Sequence, residues 1–127
     1  MKTVLVVEDN DDNMALITFI LEKRGYKTLK AKNGAQGIAL AKSKRPAFII
    51  LDIQLPDMDG IEVLRAIRAS EADGDIPVIA MTSYAMSGDR ERLMAAGCNG
   101  YIEKPIDPAA VGRQIEAILQ ENEGEGS

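Results

Sequence analysis

The sequence predicts an α/β domain in which a parallel sheet carries helices on both faces. Three features lead there. Apolar runs such as Val4-Leu5-Val6-Val7 and Ile49-Ile50-Leu51 are continuous rather than alternating, as strands buried on both faces require. Stretches with apolar residues at helical spacing follow them after polar turns. Strand and helix alternate five times, which selects a parallel sheet with right-handed crossovers.

The first strand, Val4–Val7, stops abruptly at Glu8-Asp9-Asn10-Asp11-Asp12. A helix from about Asp11 to Arg24 follows. Asn10 or Asp11 can cap it, and the acids suit its N-terminal dipole. Met14, Ile17 and Leu21 share one face, with Ile20 beside them, and Gly25 ends it. Thr28–Ala31 is a short second strand. Asn33-Gly34 opens a helix with Ile38 and Ala39 inward, ending before Pro46. Phe48–Leu51 is the third strand, and Pro56 and Gly60 mark the loop after it. A helix over Ile61–Ala69 presents Ile61, Leu64 and Ile67 as one stripe. Glu71–Asp75 reads as a polar loop. Pro77–Met81 is a buried fourth strand, with Pro where a first strand residue tolerates it. A helix from Ser87 to Ala96 is stopped by Gly97. Gly100–Glu103 is the fifth strand. Asp107 caps the last helix with Pro108 at its first position, and Val111, Ile115, Ile118 and Leu119 face inward. The acidic, Gly-rich end at 122–127 reads as a disordered tail or linker stub beyond a single domain over 1–121.

Composition narrows the function. The 127 residues suit one domain with one core. A net charge of −5 argues against nucleic acid as a partner, since phosphate backbones need clustered Lys and Arg. With no His and one Cys, a zinc site is not expected. Cys98 reads as a small semi-buried hydrophobe in a reducing compartment. No apolar run suits a signal peptide or a membrane span, so a cytoplasmic protein is expected. Because the chain has no His, any phosphohistidine it meets must belong to another molecule.

The chemistry collects at the strand ends. Glu8 and Asp9 follow the first strand, Asp52 ends the third, Thr82 and Ser83 follow the fourth, and Lys104 follows the fifth. In a parallel sheet these ends share one edge, where ligands bind. Singly, each residue reads more simply as a cap, a packing group or a solvated surface charge. Together they bring three carboxylates into repulsion. Each pair at ~4 Å and an effective dielectric of ~20 costs about 4 kcal/mol. A proton or a cation relieves this. The donors are hard oxygens, which suit Mg²⁺, Mn²⁺ or Ca²⁺, and an open cleft with few protein ligands favours Mg²⁺. Asp52 can attack phosphorus as a nucleophile. Lys104 can pair with it before transfer and with phosphoryl oxygens afterwards, and the Thr82 hydroxyl can donate to the same oxygens.

With these residues in view, the sequence resembles a receiver domain of two-component response regulators, the CheY-like superfamily. The likeness runs from Lys2 to about Glu121. It rests on Val4–Asn10 (VLVVEDN), Leu51–Gly60 (LDIQLPDMDG), Pro77–Ser83 (PVIAMTS), Ala95–Gly97 (AAG) and Tyr101–Pro105 (YIEKP). Glu8-Asp9-Asn10 with Asn13 is similar to stand-alone DivK-type regulators and to receivers of hybrid kinases. The resemblance implies a flavodoxin-like (βα)5 sandwich with strand order 2-1-3-4-5. It implies phosphorylation of Asp52, and Mg²⁺ held by Asp9, Asp52 and the Gln54 carbonyl, with Glu8 acting through a water. It also implies a Thr82–Tyr101 switch pair, a phosphate-pairing Lys104 and a cis Lys104–Pro105 bond. Gln54 and Tyr84 would tune the phosphoryl lifetime. Asn13, Met14, Ile17 and Pro105 would meet the donor, a sensor histidine kinase or histidine phosphotransfer protein. A downstream protein target and a monomeric or weakly dimeric state are expected.

Alternatives stay open at this point. The chain can be a receiver excised from a hybrid kinase or larger regulator. An Asp-nucleophile phosphatase normally needs an acid two residues after the nucleophile, where this chain has Gln54, so no enzyme is expected. A flavin site would need a Gly/Ser/Thr loop where Glu8–Asp12 is acidic, and the complete acidic set argues against a receiver that only binds partners.

Overall fold

The computed structural model describes residues 2–70, 76–83 and 87–126. The elements in chain order are β1 (Thr3–Val7), α1 (Asp11–Lys23), β2 (Lys27–Ala31), α2 (Gly34–Lys44), β3 (Phe48–Asp52), α3 (Gly60–Ser70), β4 (Val78–Thr82), α4 (Ser87–Ala95), β5 (Gly100–Glu103) and α5 (Val111–Gly126). All strand pairs are parallel, in the expected order β2-β1-β3-β4-β5. No helix among the described residues is long and apolar enough to cross a membrane.

Alternation along the strands divides the core in two. Leu5, Val7, Ile49, Leu51, Val78 and Ala80 pack with α3 residues Leu64 and Ile67 and with Leu93 of α4. Val4, Val6, Phe48, Ile50, Ile79 and Met81 pack with Met14, Ile17 and Leu21 of α1 and with Val111 and Ile115 of α5. Successive strand residues point to opposite faces, so both faces of β1, β3 and β4 are apolar and their sequences read as unbroken runs.

Several boundaries differ from the sequence reading. α2 buries Gly34, Gly37 and Ala41, whereas Ala39 is exposed and Ile38 half-buried. The helix lies so close to the sheet that a Cβ at Gly37 would stand 2.9 Å from Val7, so small residues rather than Ala39 mark its inner face. Pro77 precedes β4 instead of opening it, and Thr82 is inside the strand. Pro108 lies in a turn whose Ala109 N–H donates to Asp107 Oδ1 at 2.9 Å, and α5 begins at Val111. α5 continues to Gly126, past the boundary expected at Glu121. The proposed loop Glu71–Asp75 lies outside the described residues.

Two polar clamps fix the loops. Asp57, in the β3–α3 loop, caps α2. Its Oδ1 accepts from Gly34 N at 2.7 Å and its Oδ2 from Ala35 N at 3.0 Å. These bonds, the Gly34 one foremost, hold the Asp57 carboxyl below its ordinary pKa. Its stabilising contribution is therefore present above the unfolded pKa and is lost as pH falls through the depressed folded value. Asp57→Ala is expected to lower the melting temperature at pH 7 but to change it little under acid conditions where wild-type Asp57 is protonated. An equal loss at both pH values would contradict the capping role. The second clamp is Arg68 of α3. It donates to Ile76 O at 2.7 Å, to Gly97 O at 2.9 and 3.1 Å, and to Asn99 Oδ1 at 2.8 Å. Asn99 Oδ1 also takes Val78 N at 2.8 Å, so one guanidinium joins α3, the start of β4 and the α4–β5 turn.

Candidate functional site

Strand register assembles the site. Val7 pairs with Leu51, so the next residue on each strand brings Glu8 beside Asp52. Asp52 pairs with Met81, and Thr82 pairs with Glu103. Lys104 N then donates to Thr82 O at 2.8 Å, which holds Lys104 at the end of β4. Residues distant in sequence thus meet at the carboxyl edge of the sheet.

Burial sets the electrostatics. Glu8 is 0% exposed, Asp52 1% and Thr82 2%. Lys104 Nζ lies 3.1 Å from Asp52 Oδ1 and 3.3 Å from Glu8 Oε1, with its side chain 14% exposed. Gln54 N also donates to Asp52 Oδ1 at 3.0 Å. Asn10 N donates to Glu8 Oε2 at 3.2 Å, but Glu8 Oε1 has no hydrogen-bond partner. Lys104 is close enough to Oε1 for an ion pair without supplying that bond. Burial, then the hydrogen bond to Asp52 and its charge, push the Glu8 carboxyl up to about 7, against the opposing pull of Asn10 N–H and Lys104.

One ammonium does not satisfy this set. Carboxylate oxygens of Glu8, Asp9 and Asp52 all lie within 4.8 Å of one another. Asp9 is exposed, so the cluster opens to solvent on one side. An all-oxygen donor set, a buried carboxylate oxygen lacking a hydrogen bond and an open flank fit a hard divalent cation.

Side-chain parity divides the remaining functions. Asp52 continues the Phe48–Ile50 face and Glu8 the Val4–Val6 face, toward α1 and α5. Thr82 continues Val78–Ala80, on the opposite face toward α4, and Tyr101 packs on that same side. Ala80 pairs with Tyr101, so Thr82 stands two residues beyond the residue Tyr101 pairs with. Thr82 therefore stands at the acidic edge of the sheet while facing its α4 side. A cavity of about 210 Å³ on that side is lined by Thr82, Gln54, Asp59 and Arg92, among others.

The loop after Asp52 is folded back on itself. Gly60 N donates to Ile53 O at 2.9 Å, and a Cβ on Gly60 would lie 2.4 Å from Ile53 Cα. Only a glycine permits that approach, which keeps Gln54 close beside Asp52. The peptide bond between Lys104 and Pro105 is cis, as the family resemblance implied.

A profile described as the response regulator receiver domain matches residues 4–116. The chain belongs to this family. This receiver is 44% identical over 117 residues to the polar-differentiation response regulator DivK of Brucella anthropi, covering 92% of this chain and 93% of that protein. Among solved structures it is similar to the chemotaxis protein CheY4 of Vibrio cholerae, with a TM-score of 0.87 and 25% identity over 93% of this chain and 98% of that one. The receiver domain of the sensor histidine kinase PA1611 of Pseudomonas aeruginosa is 35% identical, with a TM-score of 0.83 over 94% of this chain and 98% of that one. That crystal structure holds a magnesium ion coordinated in its active-site cleft.

The docking residues read from the sequence need correction in this receiver. Met14 is 5% exposed and Ile17 0%; both belong to the core under α1. Helical spacing identified their shared face, but that whole face turned out to be interior. Asn13 is half-buried and its N–H is occupied by Asn10 Oδ1 at 2.9 Å, while Pro105 is exposed. α1 instead exposes Phe19 at 58%, with the Lys23 ammonium 5.2 Å from its ring centroid. Tyr84 lies outside the described residues.

Proposed function

We propose that this receiver takes a phosphoryl group from a phosphohistidine of a sensor histidine kinase or histidine phosphotransfer protein onto Asp52, and that the phosphoryl group changes which partner it binds. The observation that carries the reading is the buried Asp52 carboxylate. Its Oδ1 is held by Lys104 Nζ at 3.1 Å and Gln54 N at 3.0 Å. Attack then falls to Oδ2. The new Oδ2–P bond forms as the P–N bond to the donor imidazole breaks, and the nitrogen leaves with the electron pair. Lys104 moves its contact from the carboxylate to the phosphoryl oxygens. Thr82, at the same edge, turns its hydroxyl to another of them.

Asp9, Asp52 and the Gln54 carbonyl would hold Mg²⁺, with Glu8 joined through a water; Mn²⁺ suits the same donors. Bound there, the ion supplies charge neutralisation for an anionic donor meeting three carboxylates. Glu8, held near 7 by burial and Asp52, is ionised more readily beside the ion, so ion binding at neutral pH releases protons.

Thr82 and Tyr101 form the switch pair in this reading: Thr82 moves toward the phosphoryl group and Tyr101 turns into the space it leaves. Gln54, next to the acceptor, governs access of hydrolytic water, together with Tyr84. Asn13 and Pro105 border the cleft on the donor's side. Gln54 offers no leaving-group acid, so the transfer is a signalling step rather than a turnover reaction.

The test mixes the protein with a ³²P-labelled histidine phosphotransfer domain in Mg²⁺. A label that reaches about one per chain and is released by hydroxylamine, as a carboxylate phosphate is, supports the reading. A hydroxylamine-resistant label, or repeated turnover of p-nitrophenyl phosphate without a stable label, would sink it.

A further inference from the structure

We infer that Arg90 of α4 holds Tyr101 in its surface position and so sets how much of the receiver occupies the switched state before any phosphoryl group arrives. The inference rests on the Thr82–Tyr101 switch proposed above and adds the residue that biases it.

Two contacts meet on one side chain. The Arg90 guanidinium lies over the Tyr101 ring, 4.8 Å from its centroid. The same guanidinium donates through Nη2 to the Tyr101 hydroxyl. Tyr101 is half-buried, with its ring packed on the α4-side core. Turning Tyr101 inward would take the ring from beneath the cation and the hydroxyl from its donor. Both contacts are thus specific to the outward state, and only a state-specific contact shifts an equilibrium.

The size follows from general values. An exposed cation–π contact and a surface hydrogen bond together are worth roughly a tenfold change in a population ratio. While the inward state is minor, losing Arg90 raises its share by about that factor. The apparent affinity for any ligand that needs the inward state rises equally.

Electrostatics alone makes the opposite forecast. Removing a positive charge from a face near the acceptor edge weakens binding of an anion. Tightening on loss of Arg90 is therefore the signature of the latch.

The experiment uses the full chain bearing 3-fluorotyrosine in Mg²⁺, with beryllofluoride as the phosphoryl stand-in at Asp52. ¹⁹F NMR follows the resonance assigned to Tyr101 through its loss in Tyr101→Phe. Wild type should show that resonance move on adding beryllofluoride. Arg90→Ala should displace it toward the bound position before any beryllofluoride is added, and should lower the half-saturating concentration about tenfold. Arg90→Lys, which keeps a cation but loses the planar fork, should fall between. An Arg90→Ala protein with the wild-type resonance and unchanged or weaker beryllofluoride binding overturns the latch and leaves the switch standing. A wild-type resonance that ignores saturating beryllofluoride overturns the switch, and the latch with it.

Discussion

Asp52→Asn is expected to abolish covalent labelling, reducing the hydroxylamine-labile phosphate to background with either phosphohistidine or acetyl phosphate as donor. The substitution conserves shape, and Asp52 lies 1% exposed in a packed strand end, so the fold has no cause to change. What disappears is the nucleophilic oxygen: a carboxamide nitrogen in its place does not form the acyl phosphate. A second readout separates this from damage to the site. The Asp52 hydrogen bond and charge are the contributions after burial that raise the Glu8 carboxyl to about 7. With Asn at 52 that charge is gone and an N–H donor faces Glu8, so the Glu8 pKa falls. Titrating the Glu8 carboxyl by ¹³C NMR in EDTA measures the shift. Retained labelling would remove Asp52 as the acceptor. Lost labelling with an unmoved Glu8 would mean that burial alone sets the Glu8 pKa.

The larger effect on stability is expected at Lys104. Its ammonium stands within 3.3 Å of both Glu8 and Asp52, and both carboxylates are buried. Lys104→Met keeps the volume of the stem and leaves the acids without a cation. Removing one partner from a buried pair destabilises by about 3 kcal/mol or more. The sign with pH is fixed by Glu8. Its folded pKa is raised from about 4.5 to about 7, so in the metal-free wild type its contribution to stability is full below the lower value. That contribution is lost as pH rises through the upper one. Without Lys104 the folded pKa rises further and the loss grows in the same direction. Urea denaturation in EDTA should show the variant less stable than wild type by about 3 kcal/mol at pH 8, with a smaller gap near pH 4.5, where Glu8 is protonated. Mg²⁺ at pH 8 should recover part of it. A gap equal at both pH values and indifferent to Mg²⁺ would assign Lys104 a packing role instead.

How much of this was legible in the sequence depends on the range of the forces involved. β1, β3 and β4 were plain because burial on both faces leaves unbroken apolar runs. Asp52, Thr82 and Lys104 were plain because the strand ends place them, and register does the rest. The Thr82–Tyr101 pair came only with the resemblance, because the register that pairs Ala80 with Tyr101 and so places the two on one face is not written in the sequence. Met14 and Ile17 show where periodicity stops: it gives a common face but not whether the rim of that face reaches solvent. Asp57 read as an ordinary turn residue, because its partners Gly34 and Ala35 come from another crossover. Arg68 and Arg90 gave no signal. An arginine on a helix is usually solvated, and only the packed structure brings Gly97 O to one and Tyr101 to the other.

The Arg68 clamp also gives α4 a fulcrum. Its guanidinium grips Gly97 O and Asn99 at the helix's carboxyl end and Ile76 O at the foot of β4. A helix of nine residues is about 13 Å long. Pivoted at that end, a tilt of about 10° carries its first turn ~2 Å while leaving Gly97 almost still. Leverage favours the amino-terminal end, beyond the β4 edge where Thr82 sits. Arg90 rides partway along the arm, so any swing of α4 is translated into travel across the Tyr101 ring.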